Sequence, residues 1–229
     1  MEQLNNGFSL NICPGGFPLS TDSMVLSGFV RLKKNACVLD LGSGCGTLGL
    51  LLCANDSNCS VTGVEIDPAA HETALENISR NSLSSRLKSI CADLNTIPQL
   101  FPSGSFHCVV SNPPYFPFGP VSKTVPIARR EDMCDLPGLF TAASWAVKYG
   151  GDFYLVHRPE RLAQICACAA DAGMEVKRLC TVRHDPANPV NLILLQCRKG
   201  AKPGLIWEEL CLFDQNGDPT AEYKHIYHI

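Results

Sequence analysis

Asp40-Leu41-Gly42-Ser43-Gly44-Cys45-Gly46-Thr47-Leu48-Gly49 places glycines at alternate positions directly behind an acid. Glycine at such spacing lets backbone approach a ligand more closely than any side chain allows, which suits a nucleotide-type site. Gly44, Gly46 and Gly49 alone also satisfy G-x-G-x-x-G, and Glu65 falls 21 residues beyond Gly44, as a dinucleotide fold requires. The glycines therefore leave two kinds of nucleotide open. Glu65 is a two-oxygen acceptor suited to a pair of ribose hydroxyls, and a third acid, Asp93, follows in Cys91-Ala92-Asp93-Leu94. The most specific stretch is Asn112-Pro113-Pro114-Tyr115. Its prolines fix φ and donate no N–H, which makes a rigid turn, while Asn112 and the Pro113 carbonyl offer acceptors beside the aromatic face of Tyr115.

These residues need elements to hold them, and the pattern supplies strands alternating with helices. Ser20-Thr21-Asp22-Ser23 offers caps for a short helix through Met24-Val25-Leu26 to Leu32. Strands are expected at Ala36 to Leu41, Ser60 to Glu65, Leu87 to Cys91, Phe106 to Ser111, Asp152 to His157, Met174 to Arg183 and Val190 to Cys197. Helices fall between them at Thr47 to Asn55, Asp67 to Asn81, Leu139 to Tyr149, stopped by Gly150-Gly151, and Pro159 to Ala172. Asn112 to Pro137 carries six prolines and reads as a long functional loop. The result is an α/β fold with a seven-stranded, mostly parallel sheet, whose last two strands form an antiparallel hairpin at one edge. In the tail, Asn216-Gly217 suggests a further hairpin packed on that edge. The three acids and Asn112 then sit at successive strand ends, where ligands of such sheets bind. One domain is expected: residues 1–35 as an extension over the ligand site, 36–200 as the core and 201–229 as a tail.

Composition narrows the function. The 229 residues are 45% hydrophobic and 18% charged, enough apolar content for one core and too much for a disordered chain. A net charge of −3 gives no global attraction to a polyanion. The thirteen cysteines are odd in number and scattered through hydrophobic stretches, with Cys166-Ala167-Cys168 too close for paired zinc ligands. They read as small core residues of a reduced, cytoplasmic protein, with no metal expected. No signal sequence and no apolar run of membrane-spanning length is visible.

With Asp40 in front, the glycine turn resembles motif I of the class I S-adenosylmethionine-dependent methyltransferases, which have a Rossmann-like sheet. Asn112 to Tyr115 resembles the N-P-P-Y signature of those that methylate planar nitrogens. Over nearly the whole chain the sequence is similar to the adenine N6-methyltransferases acting on position 37 of a bacterial valine tRNA. The similarity rests on Gly16 to Leu26, Asp40 to Gly46, Asn112 to Tyr115, Ala128-Arg129-Arg130-Glu131 and Arg158 to Leu162. Family members more often carry Phe-Gly-Thr-Asp where this chain has Leu19-Ser20-Thr21-Asp22.

The resemblance implies S-adenosylmethionine held by Thr21, Asp22, Asp40, Gly42, Gly44, Gly46, Glu65, Ile66, Asp93, Leu94 and Asn112, with Asp93 on the adenine amino group. It implies catalysis by Asn112, Pro113, Pro114 and Tyr115, and tRNA as the partner, contacted by Arg129 and Arg130. An exocyclic amino nitrogen is a poor nucleophile because its lone pair is delocalised. Accepting its two N–H bonds on the Asn112 and Pro113 carbonyls draws it toward a tetrahedral shape, and Tyr115 can stack the base. An amide nitrogen obeys the same logic, so a protein glutamine N5-methyltransferase is the near alternative. The roughly 35 residues before the first strand leave no room for the helical domain those enzymes usually carry. No separate target-recognition segment speaks for a DNA methyltransferase. From other classes come a non-catalytic cofactor-binding RNA or assembly module and a nicotinamide-dependent oxidoreductase.

Overall fold

A computed structural model describes residues 2–4, 7–16, 18–113 and 135–229. Two short strands, β1 (Glu2–Gln3) and β2 (Ser9–Leu10), pair antiparallel ahead of helix α1 (Thr21–Phe29). The alternation then runs β3 (Cys37–Leu41), α2 (Thr47–Asn55), β4 (Ser60–Glu65), α3 (Pro68–Arg80), β5 (Leu87–Cys91), the single turn α4 (Ile97–Leu100) and β6 (Phe106–Ser111). Beyond residues 114–134, which lie outside the described residues, come α5 (Leu136–Ala146), β7 (Val147–His157), α6 (Leu162–Asp171), β8 (Met174–Arg183), β9 (Leu192–Lys199), β10 (Ile206–Cys211) and α7 (Ala221–Tyr227).

The main sheet has the order β10-β8-β9-β7-β6-β3-β4-β5. Every neighbouring pair is parallel except the two made by β9, which runs against both β7 and β8. Helices cover both faces, so successive strand residues are buried on opposite sides. Val38, Val61, Val110, Tyr154 and Val156 pack in one layer with α1 and α2, and Leu39, Val64, Val109, Phe153 and Leu155 in the other with α5 and α6. This is why the strands read as continuous apolar runs rather than as alternation. Of the twelve cysteines among the described residues, all are free and eight are buried; six fill these layers as small hydrophobes, while Cys13 and Cys45 pack apart from them with Ala70.

Three expectations are corrected. The sheet has eight strands, and the antiparallel β9 is interior, because β10 adds to β8 in parallel and takes the edge. The Asn216-Gly217 turn does form, with Gly217 at φ +83° and the Asp214 carboxylate accepting the N–H groups of Asn216 and Asp218. It closes a minimal hairpin through the antiparallel bridge of Phe213 with Pro219 and then leads into α7, without adding a strand that pairs with β10. Nor does Gly150-Gly151 stop a helix. Helix α5 ends at Ala146, the fully buried Val147 opens β7 without a connecting loop, and the two glycines make a bulge. A Cβ at Gly151 would meet the His107 carbonyl at 2.8 Å, so the glycine is what lets the bulge lie against β6. No described helix is long and apolar enough to cross a membrane.

Candidate active site

Strands β3, β4, β5 and β6 are parallel, so the loops leaving Leu41, Glu65, Cys91 and Ser111 emerge at one end of the sheet. The chain order reverses there: β4 and β5 lie to one side of β3, β6 and β7 to the other. Such a reversal opens a crevice between the outgoing loops.

Gly42, Gly44 and Gly46 all have positive φ, at +73°, +53° and +83°, and Gly46 is the N-cap of α2. At Gly42 and Gly44 a Cβ would meet nothing, so conformation and open space together define the turn. Its base is set by β4: the N–H groups of Gly42 and Ser43 both donate to the Val64 carbonyl. A Cβ at Gly63 would lie 2.6 Å from Ser43 Oγ, so β4 carries glycine where the turn presses on it.

Asp40 is 1% exposed, and its Oδ2 has no hydrogen-bond partner among the described residues, as is also true of Ser43 Oγ. Burial first, then repulsion from Glu65, raises the Asp40 carboxyl from an ordinary 3.8 to about 7. Glu65 is half-buried and already holds the turn: Oε2 accepts the Gly44 N–H at 2.7 Å and Oε1 that of Asp67 at 2.9 Å. It thereby joins the glycine turn to the start of α3. Ile66 beside it is 39% exposed, an apolar rim next to a charged one. One strand further out, the Ala92 N–H donates to the Glu65 carbonyl, which brings Asp93 and Leu94 alongside. Asp93 Oδ1 accepts the Asn95 N–H, and Leu94 packs partly into the core.

Asn112 is held from two sides. Its strand end is tied to β3 by the Ser111 hydroxyl, which donates to the Leu41 carbonyl at 2.7 Å, and its Nδ2 donates to Ser23 Oγ at 3.1 Å. That contact brings the first turn of α1, with Thr21 and Asp22, to the end of β6. Thr21 is also hydrogen-bonded to the Tyr227 side chain of α7. Pro113 is buried beside Asn112. Pro114, Tyr115, Arg129 and Arg130 lie outside the described residues.

Some contributors had no signal in the sequence. Asn77, fully buried in α3, accepts the Asn11 N–H and donates to the carbonyls of Asn11 and Cys45. One turn later, Asn81 makes the same pair of bonds to Ser9. Residues 9–13 are thus strapped to α3, and Cys13 meets Cys45 in the glycine turn at 3.5 Å between sulfurs. Ser23, read only as part of a helix cap, is the residue that touches Asn112. Amide pairs mid-helix and a serine behind a cap are ordinary surface and cap residues until their partners are known.

The basic groups sort by place. Arg178 is 6% exposed, pairs with Glu208 at 2.7 Å and lies over the Phe29 ring, so it is structural. Lys33 and Lys34 precede β3 and Lys177 lies early in β8, at the sheet end away from Asn112. Arg158 and Arg183-His184 follow β7 and end β8, at the same end as Asn112.

The family model of the methyltransferase small domain matches residues 21–163. Among curated relatives, the tRNA1(Val) (adenine(37)-N6)-methyltransferase of Tolumonas auensis is 30% identical, over 90% of this chain and 86% of its own. The enzyme of the same name from Photobacterium profundum is 27% identical over 91% and 88%. Among solved structures, a predicted O-methyltransferase from Agrobacterium tumefaciens superposes with a TM-score of 0.77 at 21% identity, covering 91% of this chain and 96% of that one. Geranyl diphosphate C-methyltransferase from Streptomyces coelicolor, solved with S-adenosyl-L-homocysteine, gives 0.55 at 13% identity, over 77% and 78%. These two likenesses concern the fold.

Proposed function

Because the chain belongs to the methyltransferase small domain family, we propose that it transfers a methyl group from S-adenosylmethionine to the N6 amino group of adenine at position 37 of a tRNA. The observation that carries this reading is the meeting, at one sheet end, of a buried carboxyl whose Oδ2 has no partner among the described residues with an asparagine amide held in place beside a proline carbonyl.

The residues suit the cofactor. Gly42 and Gly44 leave space where side chains would stand, and Asp40 Oδ2 is an acceptor still owed a donor. Asp40 would take the ammonium of the methionine part, and Glu65 the ribose hydroxyls. Each carboxylate oxygen accepts more than one hydrogen bond, so holding Gly44 and Asp67 does not exhaust Glu65. Ile66 and Leu94 would flank the adenine, with Asp93 at its amino group, while Thr21 and Asp22 close the site from α1. When bound, the cofactor supplies an electrophilic methyl on a sulfonium.

The chain's own part is to prepare the nucleophile. The Asn112 Oδ1 and the Pro113 carbonyl accept the two N–H bonds of the target amine, localising its lone pair, and Tyr115 stacks the flipped base. No strong base is required, since the proton becomes acidic only after the nitrogen has been methylated. An acceptor of this kind explains how a chain of net charge −3 can work on RNA: recognition is local and shape-dependent.

The test is incubation with tRNA lacking the modification and labelled cofactor, followed by mass spectrometry of the nucleosides. N6-methyladenosine at position 37 is expected. Label in protein glutamine and none in the RNA would replace this reading with the amide-methylating one.

A further inference from the structure

We propose that Tyr227 is a positioning residue for cofactor binding, with α7 bracing the first turn of α1 so that Thr21 and Asp22 are preset at the site. The inference rests on the reading that Thr21 and Asp22 close the cofactor crevice. It gives the carboxyl-terminal tail a part in binding as well as in covering the sheet. Thr21 is a residue that needs such a brace. It stands exposed as the first residue of α1, in the same turn that meets Asn112 through Ser23. A threonine in a helix divides between two χ1 rotamers, and at an exposed position core packing does not choose between them. A partner on its hydroxyl does.

Tyr227 supplies that partner. Its half-buried side chain is hydrogen-bonded to the Thr21 side chain, and Asp22 lies near enough to act on the phenol electrostatically. Burial, chiefly, raises the phenol above its ordinary 10, so it meets Thr21 as a neutral hydroxyl. The ring is held in place: it stacks on Tyr223 with 4.1 Å between centroids and 14° between planes, and Tyr223 in turn leans on Phe213 at 5.0 Å.

The helix that carries Tyr227 is tied at both ends. Thr220 caps it, its Oγ accepting the Tyr223 N–H while its hydroxyl donates to the Cys211 carbonyl at the end of β10. Beyond its last turn, His228 bonds to Asn55 of α2. Between these ties, Ile226 presses on α1 at Gly28, where a Cβ would lie 2.8 Å from the Ile226 Cγ1. Helix α7 therefore spans the edge strand, α1 and α2, and Tyr227 extends that frame to the turn that faces the crevice.

The experiment measures affinity for S-adenosylhomocysteine by calorimetry, and the melting temperature, in the unaltered full chain and four variants. These are Tyr227→Phe, Thr21→Val, the two combined, and Tyr223→Phe. Tyr227→Phe keeps the stacked ring and removes only the hydroxyl. One hydrogen bond of this kind is worth about fivefold in an equilibrium, so Tyr227→Phe is expected to weaken binding by about fivefold. Thr21→Val loses at least as much, and adding Tyr227→Phe to it costs less than about a further twofold, because the phenol acts through Thr21. Tyr223→Phe, which takes a hydroxyl from the neighbouring ring of the same helix, leaves affinity unchanged. Full affinity in Tyr227→Phe, an equal loss in Tyr223→Phe, or losses that multiply in the double variant overturn the assignment. A lower melting temperature with affinity intact also overturns it, since Tyr227 then serves the fold alone. An unaltered chain that binds no S-adenosylhomocysteine removes the cofactor reading and the assignment together, whereas binding indifferent to Tyr227 removes only the assignment.

Discussion

At the scale of single residues, Asp40 sets function against stability. A carboxyl raised to about 7 by burial and by Glu65 is ionised at pH 8 at a cost to the unliganded fold. Its folded value lies above the ordinary 3.8, so the folded state binds the extra proton. The stabilisation from this group is complete below 3.8 and is lost as pH rises through about 7. A bound ammonium would reverse that cost. Asp40→Asn should therefore raise the melting temperature of the unliganded protein at pH 8 more than at pH 5. The same change should weaken S-adenosylmethionine binding by about 10- to 100-fold, the worth of a charged hydrogen bond. Thermal melts at the two pH values and calorimetry check both halves; a variant less stable at pH 8 would mean that Asp40 has a partner in the free protein. Gly63 can be tested in the same way. A Cβ there meets Ser43 Oγ at 2.6 Å and Ser43 Cβ at 2.7 Å; the hydroxyl can swing away about χ1, but the Cβ is fixed to the backbone of the turn. Gly63→Ala is expected to cost about 1 to 3 kcal/mol in urea unfolding and to displace the turn enough to weaken cofactor binding. Adding Ser43→Gly should recover part of both; no recovery would place the strain elsewhere.

At the scale of elements, the amino-terminal strap is held chiefly by two helix asparagines. Asn77 makes three hydrogen bonds to backbone groups of Asn11 and Cys45, and Asn81 holds Ser9. Truncating Asn77 leaves buried backbone donors and acceptors unpaired, so Asn77→Ala should destabilise by about 2 to 4 kcal/mol. Amide exchange in residues 9–13 should rise ahead of exchange in the sheet, and equal acceleration everywhere would show that the strap does not open separately. The strap also marks the limit of legibility. Strands, glycine turn and acids were readable because each is written in adjacent residues: apolar runs, alternate glycines, an acid at a strand end. The Asn77 and Ser23 contacts were not, since each joins residues 66 and 89 positions apart and neither end has a pattern. The edge strand failed for the same reason. Ile206–Cys211 has strand composition, but it pairs in parallel with the distant β8, bridged by Arg178 and Glu208, and the Asn216-Gly217 turn suggested only a local hairpin. At Gly150-Gly151 the glycines were read correctly as an interruption and assigned to the wrong element, because a helix stop and a strand bulge use the same residue.

At the scale of the whole molecule, net charge matters less than where the cations lie. If tRNA reaches Asn112, its phosphates pass the sheet end that carries Arg183 and His184, whereas Lys33 and Lys34 face away. Counterion release makes the distinction measurable, because each phosphate contact contributes roughly 0.7 to 0.9 to the slope of log affinity against log salt. Arg129 and Arg130, in the long stretch after Asn112-Pro113, are expected to act with the Asn112 end. Replacing Arg129, Arg130 and Arg183 with alanine should weaken tRNA binding and lower the slope by about 2 to 3. Replacing Lys33 and Lys34 changes the net charge in the same direction and should leave the slope almost untouched. Methylation at saturating RNA should also survive the triple replacement, since phosphate contacts position the substrate and do not reach the reacting nitrogen. A titration of binding against salt, from low to moderate ionic strength, decides the matter. Equal losses in the two variants would mean that the chain attracts RNA through its overall field, in which case the chemistry at Asn112, and not the surface around it, must select the base.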